Sequence, residues 1–115
     1  MLAAPNRLRD RRAIAATMRR GRFVAVGPLT LKATPNRLPL SRVVVVVSKK
    51  VSKKATVRNR IRRRVAAELA ATWATVNPGY DIVVTARDDI AELAAAELSR
   101  RVEALLERGS LRVTK

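Results

Sequence analysis

Residues 42–73 read RVVVVVSKKVSKKATVRNRIRRRVAAELAATW, and the hydrophobic period changes partway along. Residues 42–48 hold five consecutive valines. β-Branched side chains are stiff at χ1 and pack well on a pleated surface, so this run predicts a strand. Its unbroken apolar character predicts cover on both faces. From Val57 onward the apolar residues recur at every fourth position, as Val57, Ile61, Val65, Leu69 and Trp73. That spacing predicts a helix over 57–75, capped by Thr56 and ended by Asn77-Pro78-Gly79. Residues 49–54 are a basic connection between the two elements.

Downstream, residues 81–87 predict a strand centred on Ile82, Val83 and Val84. A turn or a short helical piece at Asp88-Asp89-Ile90 then leads to a helix over 94–108, with Leu98, Val102, Leu105 and Leu106 apolar and Gly109 as its stop. Upstream lie two strand-like pieces, 22–26 and 29–34, punctuated by Gly27-Pro28, and a loop between Pro35 and Pro39. A short helix is expected over 9–20. Asp10 suits its N-terminal end, Arg19 and Arg20 its C-terminal end, and Gly21 a left-handed stop. Pro5-Asn6 opposes early helix, so residues 1–8 read as an irregular arm. The order α-β-β-β-α-β-α implies one α+β domain over residues 1–115. It would be a two-layer sandwich with a four-stranded, mostly antiparallel sheet.

The composition excludes most self-sufficient enzymes. With 115 residues and 48% hydrophobic content the chain can build one core, and with 3% aromatics that core is made of small side chains. No cysteine means no disulfide and no thiolate metal site. No histidine removes the usual general base at neutral pH, and with it serine or cysteine triads and His-rich zinc sites. No phosphate-binding P-loop is present, and Asp88-Asp89, the only acidic pair, suits capping better than catalysis. No catalytic side chain and no protein metal ligand is therefore expected. The valine run is too short to span a bilayer and no signal peptide is visible, which predicts a soluble, cytoplasmic protein without a membrane partner.

Charge then dominates. Residues 1–67 carry net +18 with Asp10 as their one acid, and residues 68–115 carry −2, within an overall +16. Such a one-signed field attracts polyanions, and counterion release drives nucleic-acid binding. The charge peaks over residues 48–64, which hold nine basic residues and no acid. Neighbouring arginines repel in an isolated helix, and a phosphate-rich partner would relieve that repulsion. With Val57, Ile61 and Val65 on the inner face, Asn59, Arg60 and Arg63 should project outward.

SKKVSKKATVRNRIRRR resembles the bacterial ribonuclease P protein family, in which a strand ending in Ser-Lys-Lys leads to an Arg-Asn-Arg helix. NRLRDRR at 6–12 is similar to the family's opening and DIVVTAR at 81–87 to its last strand, so the likeness spans about 6–111. It implies a left-handed β-α-β crossover, of the kind in the second domain of a small-subunit ribosomal protein. Periodicity alone would favour a right-handed one. It also implies a subunit that helps a catalytic RNA remove the 5′ leader of precursor tRNA, with Mg2+ held mainly by that RNA. The partners would be ribonuclease P RNA and precursor tRNA, with no obligate protein partner. The RNA-binding residues implied are Arg7, Arg9, Lys49, Lys50, Lys53, Lys54, Arg58, Asn59, Arg60, Arg62, Arg63 and Arg64. The leader cleft would match Ile14, Met18, Leu29, Lys32 and Ser48; at the first four of these the family often has aromatic rings and this chain has none. Core packing is the other reading of Ile14 and Met18. A structural RNA-binding protein, such as a ribosomal protein, and a nucleoid-type DNA binder share the charge and remain the alternative functions.

Overall fold

Side chains alternate across a strand, so register decides which residues face a helix and which face outward. The computed structural model describes residues 2–112. Its elements are α1 (Arg11–Arg20), β1 (Arg22–Val26), β2 (Leu29–Pro35), β3 (Arg42–Val47), α2 (Ala55–Thr72), β4 (Tyr80–Ala86) and α3 (Ala95–Arg108). Short 3₁₀ turns occupy Ala4–Asn6 and Trp73–Thr75. The strand order is β1-β2-β4-β3. β1 and β2 pair antiparallel, as do β2 and β4. β3 joins β4 in parallel, because α2 carries the chain back before β4 begins.

Two sheet faces follow from the register. One carries Leu29 and Leu31 of β2, Ile82 and Val84 of β4, and Val43 and Val47 of β3. These pack with Ile61, Val65 and Leu69 of α2 and with Leu98, Val102, Leu105 and Leu106 of α3 in one core. The opposite face carries the row Phe23, Lys32, Val83, Val44 and the row Ala25, Thr30, Thr85, Val46. α1 lies across this face, anchored where Lys32 Nζ donates to the Met18 carbonyl at 2.6 Å. The arrangement is a sandwich of the sheet with α2 and α3, plus α1 across the far face.

Several local expectations need correction. β3 is an edge strand, and Val46 is 37% exposed, so the valine run is not covered on both faces. The doubly covered strand is β4, whose Asp81, Ile82, Val83 and Val84 are all buried. The arm is ordered. Pro5 fits an early 3₁₀ position because its missing N–H has no partner to lose, and Arg7 bridges to Val43 while Leu8 N donates to Val43 O at 2.9 Å. Leu8 is buried as a result.

Gly21 ends α1 without a left-handed turn, at φ −65° and ψ 146°. Its requirement is space, since a Cβ there would lie 2.4 Å from the Thr17 carbonyl oxygen. Asp10 caps α1 directly by accepting from Arg12 N at 2.9 Å. Thr56 lies inside α2, whose N-cap is Lys54. Gly109 ends α3 in the right-handed region, and Ser110 takes the left-handed conformation instead, at φ 56°. Asp88 and Asp89 cap a turn by accepting from Asp89 N and Ala91 N, well before α3 starts. No helix among the described residues is long and apolar enough to cross a membrane.

Candidate RNA interface

α2 turns one face inward through Ile61, Val65 and Leu69, and this fixes what the intervening arginines can do. Arg60 and Arg63 are exposed, as expected. Arg60 meets Glu92 at 2.8 Å, with both side chains mostly in water. Exposed pairs of this kind are worth about 0–1 kcal/mol, so a phosphate can displace Glu92 at little cost. The Asn59 side-chain oxygen accepts from the Arg62 guanidinium, which leaves the Asn59 amide N–H groups available. Arg58 donates to the Ser52 carbonyl at 2.7 Å and ties the basic loop to the helix. Lys49, Lys50, Lys53 and Lys54 are exposed around the start of α2. That first turn has no side-chain cap and no acid, so its positive dipole end adds to the lysines.

Arg64 behaves differently. Its guanidinium donates to the carbonyls of Ile90 at 3.1 Å and Ala91 at 2.7 Å, and also to that of Leu93. The motif's last arginine thus clamps the segment after β4. Arg7 donates to the Leu2 carbonyl at 3.1 Å, and Arg9 is exposed. Both stand with Arg62 and Arg63 around one cavity, so the structure joins the arm to the basic helix.

The charge stays largely uncompensated. Among the described ion pairs, only Arg42–Asp81 and Arg60–Glu92 engage a cation from the basic first part of the chain. Two acids of the second part pair locally among the described residues. Glu97 takes Arg100 and Arg101, and Glu107 takes Arg112. The hydrogen bond from Arg100 holds the Glu97 carboxyl below its ordinary range.

The expected cleft residues separate. Met18 is 40% exposed, Ile14 is half-buried and Ser48 is exposed just past the end of β3. Lys32 lies on the face that α1 crosses, its ammonium engaged by the Met18 carbonyl. Leu29 does not belong with them. It is fully buried on the opposite face, in the core beneath α2 and α3, because its position in β2 differs in parity from that of Lys32. The residue missed is Phe23. It is 55% exposed on β1 and sits directly across from Lys32 in the register. A ring is therefore available on the α1 face after all, one strand away from the expected positions.

A family model described as Ribonuclease P matches residues 2–110. No curated protein matches the chain. The Staphylococcus aureus RNase P protein superposes with a TM-score of 0.82 at 20% identity, covering 94% of this chain and 98% of that one. An S. aureus RNase P protein mutant with defective mRNA degradation activity gives a TM-score of 0.83 at 20% identity, over 93% of this chain and 90% of that one. The RNase P protein from Thermotoga maritima gives 0.79 at 26% identity, over 89% and 96%.

Proposed function

The chain belongs to the ribonuclease P protein family, and from that premise we propose that it holds the single-stranded 5′ leader of precursor tRNA while its RNA partner performs the hydrolysis. As a ribonuclease P protein it is a subunit that binds ribonuclease P RNA. The observation that carries the rest is the unneutralised cationic surface of α2 and the loop before it, with an exposed ring, Phe23, on the opposite face of the sheet at its β1 edge. Single strands are bound by basic surfaces and stacking platforms, and this chain offers cations on α2 and one exposed ring, Phe23, on the α1 face.

In this reading magnesium is held by the RNA rather than by this chain. Among the described residues no three His, Cys, Asp or Glu side chains cluster as a metal would require, and Asp88 and Asp89 are occupied with backbone amides. When bound, magnesium would activate water and stabilise the departing oxygen. This chain's residues position the two RNAs and screen their repulsion. Arg60, Arg63 and the lysines meet phosphates, and Phe23, Met18 and Lys32 offer one ring, one thioether and one cation to the leader.

Reconstitution tests the assignment. Protein freed of RNA should cleave neither precursor tRNA nor mRNA, the latter included because of the S. aureus mutant. Added to ribonuclease P RNA, it should support precursor-tRNA cleavage at low magnesium. Cleavage by the RNA-free protein would overturn the division of labour.

Leader recognition has its own test. The complex should favour precursor over mature tRNA, and Phe23→Ala should remove roughly 1–3 kcal/mol of that preference. Met18→Phe should tighten precursor binding without overpacking, since Met18 is already exposed. A Phe23→Ala complex that discriminates as well as the parent would remove Phe23 from the leader site.

A further inference from the structure

Beside the outer edge of β3, a cavity of about 520 Å³ opens between the arm and α2. Its walls include Leu8, Val45 and Ala67, and Arg7, Arg9, Arg62 and Arg63 also line it. An apolar slot lined by four arginines suits a ligand that is flat and apolar at one end and anionic at the other. We propose that it takes one unpaired nucleotide of a partner RNA, with the base in the slot and its phosphate on the arginines.

Three features support this occupant. First, the slot has a backbone reader. Val43 O points to the outer edge of β3 and is used by Leu8 N. By strand alternation Val45 presents its N–H and C=O on that same edge, where no protein partner reaches them among the described residues. A donor and an acceptor side by side can hydrogen-bond the polar edge of a base. Second, Arg9 and Arg63 make no ion pair or side-chain hydrogen bond among the described residues, so their guanidinium forks are available for phosphate oxygens. Third, the volume lies in the range of small-ligand pockets. A base stacked inside an A-form duplex cannot enter, so the site selects a nucleotide that is already unstacked. A second copy of this chain is disfavoured as occupant by its own charge of +16.

The inference rests on α2 meeting RNA, but its test needs no ribonuclease P RNA. Amide NMR spectra of the full chain would be followed during titration with AMP, CMP and ribose 5-phosphate, the last carrying the phosphate without a base. The nucleotides should shift the Val45 and Ala67 amides saturably, and ribose 5-phosphate should leave them in place. Ala67→Leu keeps good helix propensity while filling the slot, and it should weaken nucleotide binding by about tenfold or more. Ala67→Met serves the same purpose if leucine disturbs the fold. Equal shifts from ribose 5-phosphate would reduce the cavity to a plain anion site and overturn the proposal. Unchanged nucleotide affinity in the filled variant would also overturn it, as would sedimentation showing a dimer that covers Val45 and Ala67. Failure here leaves the subunit assignment standing, and failure of reconstitution leaves nucleotide binding standing.

Discussion

Arg42→Ala should destabilise the fold by about 3–5 kcal/mol, the usual consequence of removing one partner from a buried ion pair. Asp81 is a 4% exposed residue in the central strand, directly across from Arg42 in the parallel register of β3 and β4. The guanidinium grips both carboxylate oxygens, Nε on Oδ1 and an Nη on Oδ2, each at 2.8 Å. That hydrogen bond and the charge behind it raise the Arg42 pKa above its ordinary value despite partial burial. Without Arg42, the carboxylate keeps the Asn36 amide at 3.0 Å as its side-chain donor. Urea unfolding should show a lower midpoint at an unchanged slope. Arg42→Ala with Asp81→Asn should recover part of the loss, because the second change removes the stranded charge. A single-variant loss below about 1 kcal/mol would make the pair an ordinary surface contact.

The same pair marks how far sequence reading reaches. The class, the element order and the inner face of α2 were legible because periodicity reports them locally. The rank of the strands was not. Five valines in β3 look more buried than Ile82, Val83 and Val84 in β4, yet β4 is central and β3 is the edge. A strand's place in the sheet depends on which partners flank it, and no local pattern encodes that. Phe23 could have been found. The two-residue turn at Gly27-Pro28 sets Val26 opposite Leu29 and therefore Phe23 opposite Lys32. The same parity places Leu29 on the other face from Lys32, so assigning the hairpin register first would have removed Leu29 from the cleft. Arg64 was beyond reach, because its three carbonyl partners lie 26 to 29 residues away and belong to a segment with no regular structure of its own.

Adjacent arginines of the basic helix should consequently fail in opposite ways. Arg63 is exposed and makes no bond to the protein among the described residues. Arg63→Ala should leave thermal stability within about 0.5 kcal/mol, as for most surface changes. It should weaken RNA-subunit binding and flatten the salt dependence by slightly less than one unit of slope, and Arg60→Ala should add a similar decrement. Arg64 is half-buried and holds carbonyls of the segment that follows β4, two of which belong to the buried residues Ile90 and Ala91. Arg64→Ala strips those acceptors of a charged donor, and each such bond is worth about 1.5–3 kcal/mol. Water can replace some of them, so a loss of roughly 2–3 kcal/mol is expected, with the salt slope of RNA binding unchanged under conditions where the variant is folded. Arg64→Lys should not rescue it, because one ammonium cannot span three carbonyls as a planar fork does. If Arg64→Ala proved as stable as the parent but lost a unit of salt slope, the clamp would be incidental and Arg64 would rejoin Arg60 and Arg63 on the RNA.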